Sequence, residues 1–500
     1  MPEITGTIHQ RVVLHAPVAA VEVFAALADE GRRPGAVLLE SADIVAPGGR
    51  RSLVVPFPLL RLTLRGPVLR IDALDDRGVA LLDEVAARLG GAREGTSVVA
   101  PVPEADTDPV HDDAQRLSSP GALDPVAVLA TLVADDGAPV PAGVYGAISY
   151  EIVDRFERLP PRKPDPLDEP DLHFVFAVDG IAIDHTAHEA HVVTRDLLGE
   201  RGAAARLETL VGGLDRARMP QLRAASPAVS EAPTGGDPDA FEAGVRTAQQ
   251  NIAAGDVFQL VLSRSLSVRS SLAPLEAYRR LRTLNPSPYL FFLELGNGAL
   301  LGASPETSVK VSRGMVELKP IAGTVKRGED EDADGRLALS LLLDAKEQAE
   351  HVMLVDLARN DVARISVPGT RRVEALMQVE RYSHVQHLVS RVSGQLRSGL
   401  SALGAYRACA NMGTLTGAPK LRAMELIREL EPTARGFYGG AVGYLAASGD
   451  LDTCICIRSM RYIADTFHTR AGAGVVADSQ PIKELDETTS KARACLSVLA

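Results

Sequence analysis

From Tyr289 to Val311 the chain reads Tyr-Leu-Phe-Phe-Leu-Glu-Leu-Gly-Asn-Gly-Ala-Leu-Leu-Gly-Ala-Ser-Pro-Glu-Thr-Ser-Val-Lys-Val. Tyr289 to Leu295, Ala299 to Ala303 and Thr307 to Val311 are three short apolar runs with tight breaks between them. Each is too short for a helix, and strand following strand predicts an antiparallel meander. The same grammar recurs along the chain. Ala36 to Leu39, Leu59 to Leu64, Phe174 to Ile183, Ala190 to Thr194, Val257 to Leu262, Gly440 to Ala446 and Asp452 to Ser459 read as strands. Helical spacing marks Val18 to Leu27, Val79 to Leu89, Asp239 to Ala254, a long helix from Gly335 to Ala358, Leu421 to Leu430 and Ile482 to Val498. The class expected is α/β of the α+β kind, with antiparallel sheet.

Pro-rich or small polar stretches at 101–126, 159–170 and 224–239 read as loops, because each Pro removes a donor. They divide the chain into an N-terminal region 1–223, a linker 224–239 and a C-terminal region 240–500. Five hundred residues give enough chain for a deep cleft. The net charge of −12 argues against nucleic acid as partner. No apolar run approaches the ~18 residues of a membrane span, and the N-terminus lacks a signal peptide's pattern. A cytoplasmic protein is expected. Four Cys and no CxxC pair do not suggest a disulfide framework. Cys454 and Cys456 alternate with Ile455 and Ile457 and read as packing residues. Four His between 173 and 191 read as solvated.

Chemistry concentrates in the C-terminal region. Glu484, Glu487 and Lys491 stand at i, i+3 and i+7 and share one helix face. Paired carboxylates suit a hard ion such as Mg²⁺, and equally a solvated acidic first turn. Glu350 and His351 flank the apolar run Val352 to Val355, which raises the prospect of a buried carboxylate needing a counter-charge. Arg470-Ala-Gly-Ala-Gly-Val-Val and Gly413-Thr-Leu-Thr-Gly-Ala-Pro-Lys420 are small-residue segments that would let backbone N–H groups approach an anion. Neither has the P-loop spacing. There is no GxSxG elbow and no HExxH.

Taken in order, these segments resemble the chorismate-utilising enzymes. The resemblance rests on Pro320-Ile-Ala-Gly-Thr324, Ala349-Glu-His-Val-Met-Leu-Val-Asp-Leu-Ala-Arg-Asn-Asp361, Tyr382-Ser-His-Val-Gln-His387, Gly413 to Lys420, Tyr438-Gly-Gly-Ala-Val-Gly-Tyr444, Asp452-Thr-Cys-Ile-Cys-Ile-Arg458, Ala471 to Gly474 and Glu484-Leu-Asp-Glu-Thr488. It spans about residues 240–498. Leu38-Leu-Glu-Ser-Ala-Asp-Ile44 and Asn285-Pro-Ser-Pro-Tyr289 extend it to the large, aminating subunit of the anthranilate synthase branch. Ala322 stands where enzymes that aminate at C4 carry Lys. Gln259 stands where those that add water carry Lys. Val325 and Lys326 depart from the Arg-Pro or Arg-Lys of many relatives.

The resemblance implies a large sandwich of two facing antiparallel sheets with outer helices, the two halves interleaved. It implies Mg²⁺ held by Glu350 and Glu487 with Glu484 nearby, and Glu306 as general acid on the departing C4 hydroxyl. Gln259 goes with use of ammonia, and His387 with the later loss of pyruvate. Arg458, Tyr438, Lys491, Gly323, Thr324 and Thr414 would hold chorismate, with Gly472, Ala473 and Gly474. Glu40, Ser41, Pro288, Tyr289, Leu290 and Cys454 would line a pocket for tryptophan as inhibitor. Ammonia would come from a separate glutamine amidotransferase chain in a hetero-oligomer. The expected products are anthranilate and pyruvate. A synthase that stops at 2-amino-2-deoxyisochorismate, serving secondary metabolism, is the alternative, and a regulatory paralogue with a dead site is a third.

Overall fold

A computed structural model describes residues 4, 6–14, 18–41, 51–103, 116–117, 119–218, 229–381 and 385–500. Two antiparallel sheets dominate the described residues. The first has eleven strands in the order Gly6–Leu14, Glu189–Leu197, Gly180–Asp184, Arg51–Val55, Val37–Glu40, Tyr289–Glu294, Ala299–Ser304, Ser459–Ile463, Thr466–Val475, Gln259–Arg269 and Gly417–Ala418. The second has thirteen. It runs from Ile321–Lys326 through Val385–Gln395, Met315–Leu318, Thr307–Ser312, Leu451–Ile455 and Ala441–Ala446. It continues to Gly143–Ile148, Leu172–Ala177, Leu60–Arg65, Val68–Ala73, Ser97–Ala100 and Ala92–Glu94, with Arg372–Arg381 paired to Val385–Gln395. Both sheets take strands from each side of 224–239, of which 224–228 lie outside the described residues.

The strand Tyr289–Glu294 explains the layering. Successive side chains point to opposite faces. Leu290 and Phe292 pack outward beneath the helices Ala20–Leu27 and Pro274–Leu284. Phe291 and Leu293 pack inward against Tyr145, Val175 and Val442 of the second sheet. Both faces are buried, so the strand reads as an unbroken apolar run. Small residues, among them Ala147, Ala177, Cys454 and Cys456, complete the layer between the sheets. That suits a chain with few aromatics. The second sheet's outer face carries the helices Asp76–Leu89, Ala345–Ile365 and Ala402–Cys409. No helix among the described residues is long and apolar enough to cross a membrane.

Several expectations are corrected. The meander does not stay in one sheet: Tyr289–Glu294 and Ala299–Ser304 pair, but Thr307–Ser312 belongs to the other sheet. The strand expected over Asp452 to Ser459 ends at Ile455, turns through Arg458 at φ +49°, and re-enters the first sheet as Ser459–Ile463. The long helix divides into Glu331–Leu343 and Ala345–Ile365 because Asp344 caps the second, accepting from the N–H groups of Lys346 and Glu347. Phe174 to Ile183 is two strands, and helix Asp124–Ala130 begins inside the loop expected at 101–126. His173 is buried at 2% exposure, not solvated.

Candidate functional site

Two neighbouring crossings between the sheets build the centre. One runs from Ser304 to Thr307, the other from Ile455 to Ser459. They are bonded to each other: Ala303 N–H donates to Arg458 O and Ile455 N–H donates to Glu306 O, both at 3.0 Å. Glu306 and Arg458 therefore share one place although about 150 residues separate them.

Glu306 is 7% exposed, and its Oε1 has no hydrogen-bond partner among the described residues. Burial pushes its carboxyl up to about 8. The Thr414 hydroxyl, Arg458 and Lys491 offset this only in part. Thr414 Oγ1 stands close to the Glu306 carboxyl without a hydrogen bond of ordinary geometry, and Gln259 Oε1 is likewise buried without a partner. Buried polar atoms left unpaired are uncommon and point to a functional role. Burial lowers the Arg458 guanidinium from its ordinary range.

Gly472, Ala473 and Gly474 lie in the strand Thr466–Val475, paired with Ser263, Leu262 and Val261. A Cβ on Gly472 would lie 2.7 Å from the Tyr438 hydroxyl, and one on Gly474 would lie 2.7 Å from Gln259 Nε2. The glycines are small because these two side chains cross them. Lys491 Nζ donates to Gly472 O at 2.9 Å. Tyr438 is pushed up to about 12 by burial and stays a hydroxyl donor. It is backed by groups that sequence reasoning missed. Arg435 lies 5.7 Å from its ring centroid and pairs with Glu431 at 2.6 Å, and Arg470 pairs with the same carboxylate at 2.6 Å. The i,i+4 spacing of Glu431 and Arg435 alone gives no functional signal.

His387 faces Thr324 across paired strands, its Nδ1 2.9 Å from Thr324 Oγ1 and 3.3 Å from Gly323 O. A carbonyl only accepts, so the contact with Gly323 O assigns the proton to Nδ1 and the lone pair to Nε2. Burial lowers the imidazole to about 4, below the range expected of an ordinary histidine. Positions 382–384 of that motif lie outside the described residues.

Glu350 and Glu487 stand on different helices, Ala345–Ile365 and Pro481–Leu496. Lys346 lies 3.7 Å from Glu350, and Lys491 pairs with Glu487 at 2.7 Å. Glu484 is raised by burial and by Glu487. Glu347 is raised by burial, then by Glu350, Asp344 and, across the helix gap, Glu487. At Gly323, φ +71°, a Cβ would lie 2.9 Å from Glu347 Oε2, so this carboxylate reaches the strand that leads to Thr324. Glu347 precedes Glu350 by three residues, as Glu484 precedes Glu487, and that repeat was the available signal. No three His, Cys, Asp or Glu among the described residues converge as a metal cluster. The donors suit a hard cation by charge and oxygen chemistry.

The residues expected to line an effector pocket lie beside the first crossing. Leu290 is the register partner of both Glu40 and Ala303, and Tyr289 of Ser304. The Tyr278 hydroxyl donates to Glu40 at 2.7 Å, and Arg282 donates to it at 3.0 and 3.1 Å. Tyr289 donates to Asp452 at 2.9 Å. Ser41 N–H donates to Arg51 O, Pro288 is half-buried, and Cys454 is buried against Ser304. Positions 42–44 of this segment lie outside the described residues.

Residues 99–497 match the chorismate binding enzyme family. Anthranilate synthase component 1 of Salmonella typhimurium is 42% identical over 490 residues, covering 94% of this chain and 93% of that protein. The pyocyanine-specific anthranilate synthase component 1 of Pseudomonas aeruginosa is 40% identical, covering 93% of this chain and 90% of that protein. The crystal structure of anthranilate synthase component I from Streptococcus pneumoniae superimposes with a TM-score of 0.70 at 33% identity, over 91% of this chain and 93% of that one. With two facing sheets, a buried acid at their crossing and these relatives, the chain belongs to the chorismate binding enzyme family, among the anthranilate synthase component 1 proteins.

Proposed function

We propose that the chain aminates chorismate at C2 and carries the adduct on to anthranilate and pyruvate. The observation that carries the reading is Glu306, a carboxyl buried at the crossing with its Oε1 unpaired, which burial pushes up to about 8. A neutral acid in an enclosed site can protonate a departing hydroxyl, which a surface carboxylate cannot do at neutral pH. Glu306 would give its proton to the C4 hydroxyl as water leaves, while ammonia adds at C2 and the double bonds shift. Arg458, Tyr438, Lys491, Thr324 and the Gly472–Gly474 backbone would hold the carboxylates. Gln259, a neutral amide, leaves ammonia rather than an activated water as nucleophile. His387 Nε2, unprotonated near neutral pH, would take the ring proton as the enolpyruvyl ether departs.

Glu350 and Glu487, with Glu484 and Glu347, would hold Mg²⁺. When bound, the ion would neutralise a carboxylate of the substrate. The ammonia would be delivered by a separate glutamine amidotransferase component, in keeping with the relatives' designation as component 1.

Chorismate, ammonium salt at raised pH and Mg²⁺ test the reading directly. Anthranilate and pyruvate in equal amounts are expected, and glutamine should not replace ammonium without the second component. A non-aromatic product that keeps the enolpyruvyl group, identified by mass, would overturn the full reaction in favour of a synthase stopping at 2-amino-2-deoxyisochorismate.

A further inference from the structure

A cavity of about 260 Å³ opens between the two sheets, away from the crossings. Arg61 and Arg65 on Leu60–Arg65, and Asp72 and His173, reach it from the second sheet. Arg461 and the Leu295–Asn297 turn reach it from the first. Three guanidiniums thus converge on one space.

Their local partners leave charge over. Arg461 is satisfied by Glu169 at 2.8 Å and by Asn297. Arg65 pairs at 2.8 Å with Asp168, an exposed side chain. Arg61 is the exception. Among the described residues its hydrogen bonding is one contact of 3.5 Å to Asp72, whose other oxygen is already held at 2.7 Å by both Arg70 and Ser97. A guanidinium has five donors in a planar fork, so most of those of this partly exposed arginine have no protein partner. Beside it, His173 is 2% exposed and its Nε2 is buried without a partner. Arg61, Arg461 and Arg65 all act on that imidazole, which places it at the focus of the cluster, and it stays neutral.

We propose that this cavity binds a small phosphate-class oxyanion, bridging the two sheets through the Arg61 and Arg65 guanidiniums and the His173 Nε2. Planar guanidiniums match phosphate oxygens bidentately. The volume falls just below the roughly 300–1,000 Å³ of ordinary small-molecule pockets, which fits free phosphate or a small phosphomonoester. Three guanidiniums around one space favour a dianion over chloride, with Asp72 and Glu169 tempering the charge.

Calorimetric titration of the intact chain with inorganic phosphate, and separately with glycerol phosphate, tests this at constant ionic strength set with chloride. Saturable one-to-one binding of either ion is expected, weakened at least tenfold in Arg61→Gln and in Arg65→Gln. Arg65 is partly exposed, so its variant remains informative if Arg61→Gln folds poorly. Arg458→Gln, at the crossing between the sheets, should bind phosphate as the wild type does. Saturable binding of neither ion, wild-type affinity in both arginine variants, or loss of binding in Arg458→Gln would overturn the assignment, the last by moving the anion to the chorismate site.

Discussion

Glu306 and Arg458 occupy adjacent crossings between the two sheets, tied by backbone hydrogen bonds on either side of them, with no direct ion pair between the two side chains. The arrangement keeps a cation near an acid without ionising it. Burial is the larger effect and pushes the carboxyl up to about 8.

Glu306→Gln should lower turnover by about 10²–10⁴-fold, the range for losing a general acid. It should also stabilise the fold. A carboxyl raised from its ordinary value contributes stability below the unfolded pKa and loses it as pH rises through about 8. The amide escapes that loss, so at pH 7 the variant should gain on the order of 3 kcal/mol. Activity against pH should fall above about 8 in the wild type. Denaturant melts and initial rates check both parts, and a destabilised, still active variant would remove Glu306 from the role.

His387→Met should consume chorismate yet release a non-aromatic amino acid that retains the enolpyruvyl group. Its imidazole is lowered to about 4, so it is already neutral near pH 7 and stays so until pH approaches that value. The ratio of pyruvate to chorismate consumed should therefore hold between pH 8 and pH 5.5. An ordinary histidine would lose its basic form near pH 6.5. Thr324→Val should reduce the ratio less, because Gly323 O still holds Nδ1.

The carboxylates of two helices give a metal prediction with two readouts. Glu484 and Glu347 are raised partly by repulsion from neighbouring carboxylates, Glu487 acting on both. Their ionisation should cost stability as pH rises through their raised values, and Mg²⁺ should return it. The melting temperature at pH 8 should rise with Mg²⁺ in the wild type and hardly at all in Glu487→Gln, whose turnover should nearly vanish. Equal Mg²⁺ shifts in both proteins would take these residues out of the metal site.

The fold was legible wherever local pattern decides it. Strand Tyr289–Glu294 and helix Pro238–Ala254 lie within a residue or so of the ranges read from sequence. What escaped depends on partners distant in sequence. An apolar run such as Thr307–Ser312 looks the same in either sheet, so its crossing was invisible, and with it the reason Glu306 meets Arg458. Asp344 falls inside the single helix expected from Gly335 to Ala358, where it is a cap. His173 sits in a strand buried on both faces, where alternation gives no warning. At the site, motif residues stood out by resemblance. Glu431 and Arg435 did not, because their work is to back Tyr438 from beneath.

Tryptophan should inhibit ammonium-dependent turnover, and Ser41→Phe should abolish the inhibition while leaving turnover. Glu40 accepts three hydrogen bonds from Tyr278 and Arg282, which fix the carboxylate in place. An ionised carboxylate offers about four lone-pair sites, so one remains for a ligand ammonium. The strand that presents Glu40 pairs with Leu290, and Leu290 pairs in turn with Ala303, three residues before Glu306. A ligand gripped between 40–41 and 288–290 would draw on the strand that ends in the crossing carrying Glu306, and there a small displacement changes where the acid points. Coupling of about 1–3 kcal/mol suffices to shift chorismate affinity 5- to 150-fold. Anthranilate fluorescence followed against tryptophan concentration measures it. A wild type indifferent to tryptophan would sink the regulatory role and leave the 40–41 and 288–290 contacts as packing, since the sheet register alone accounts for them.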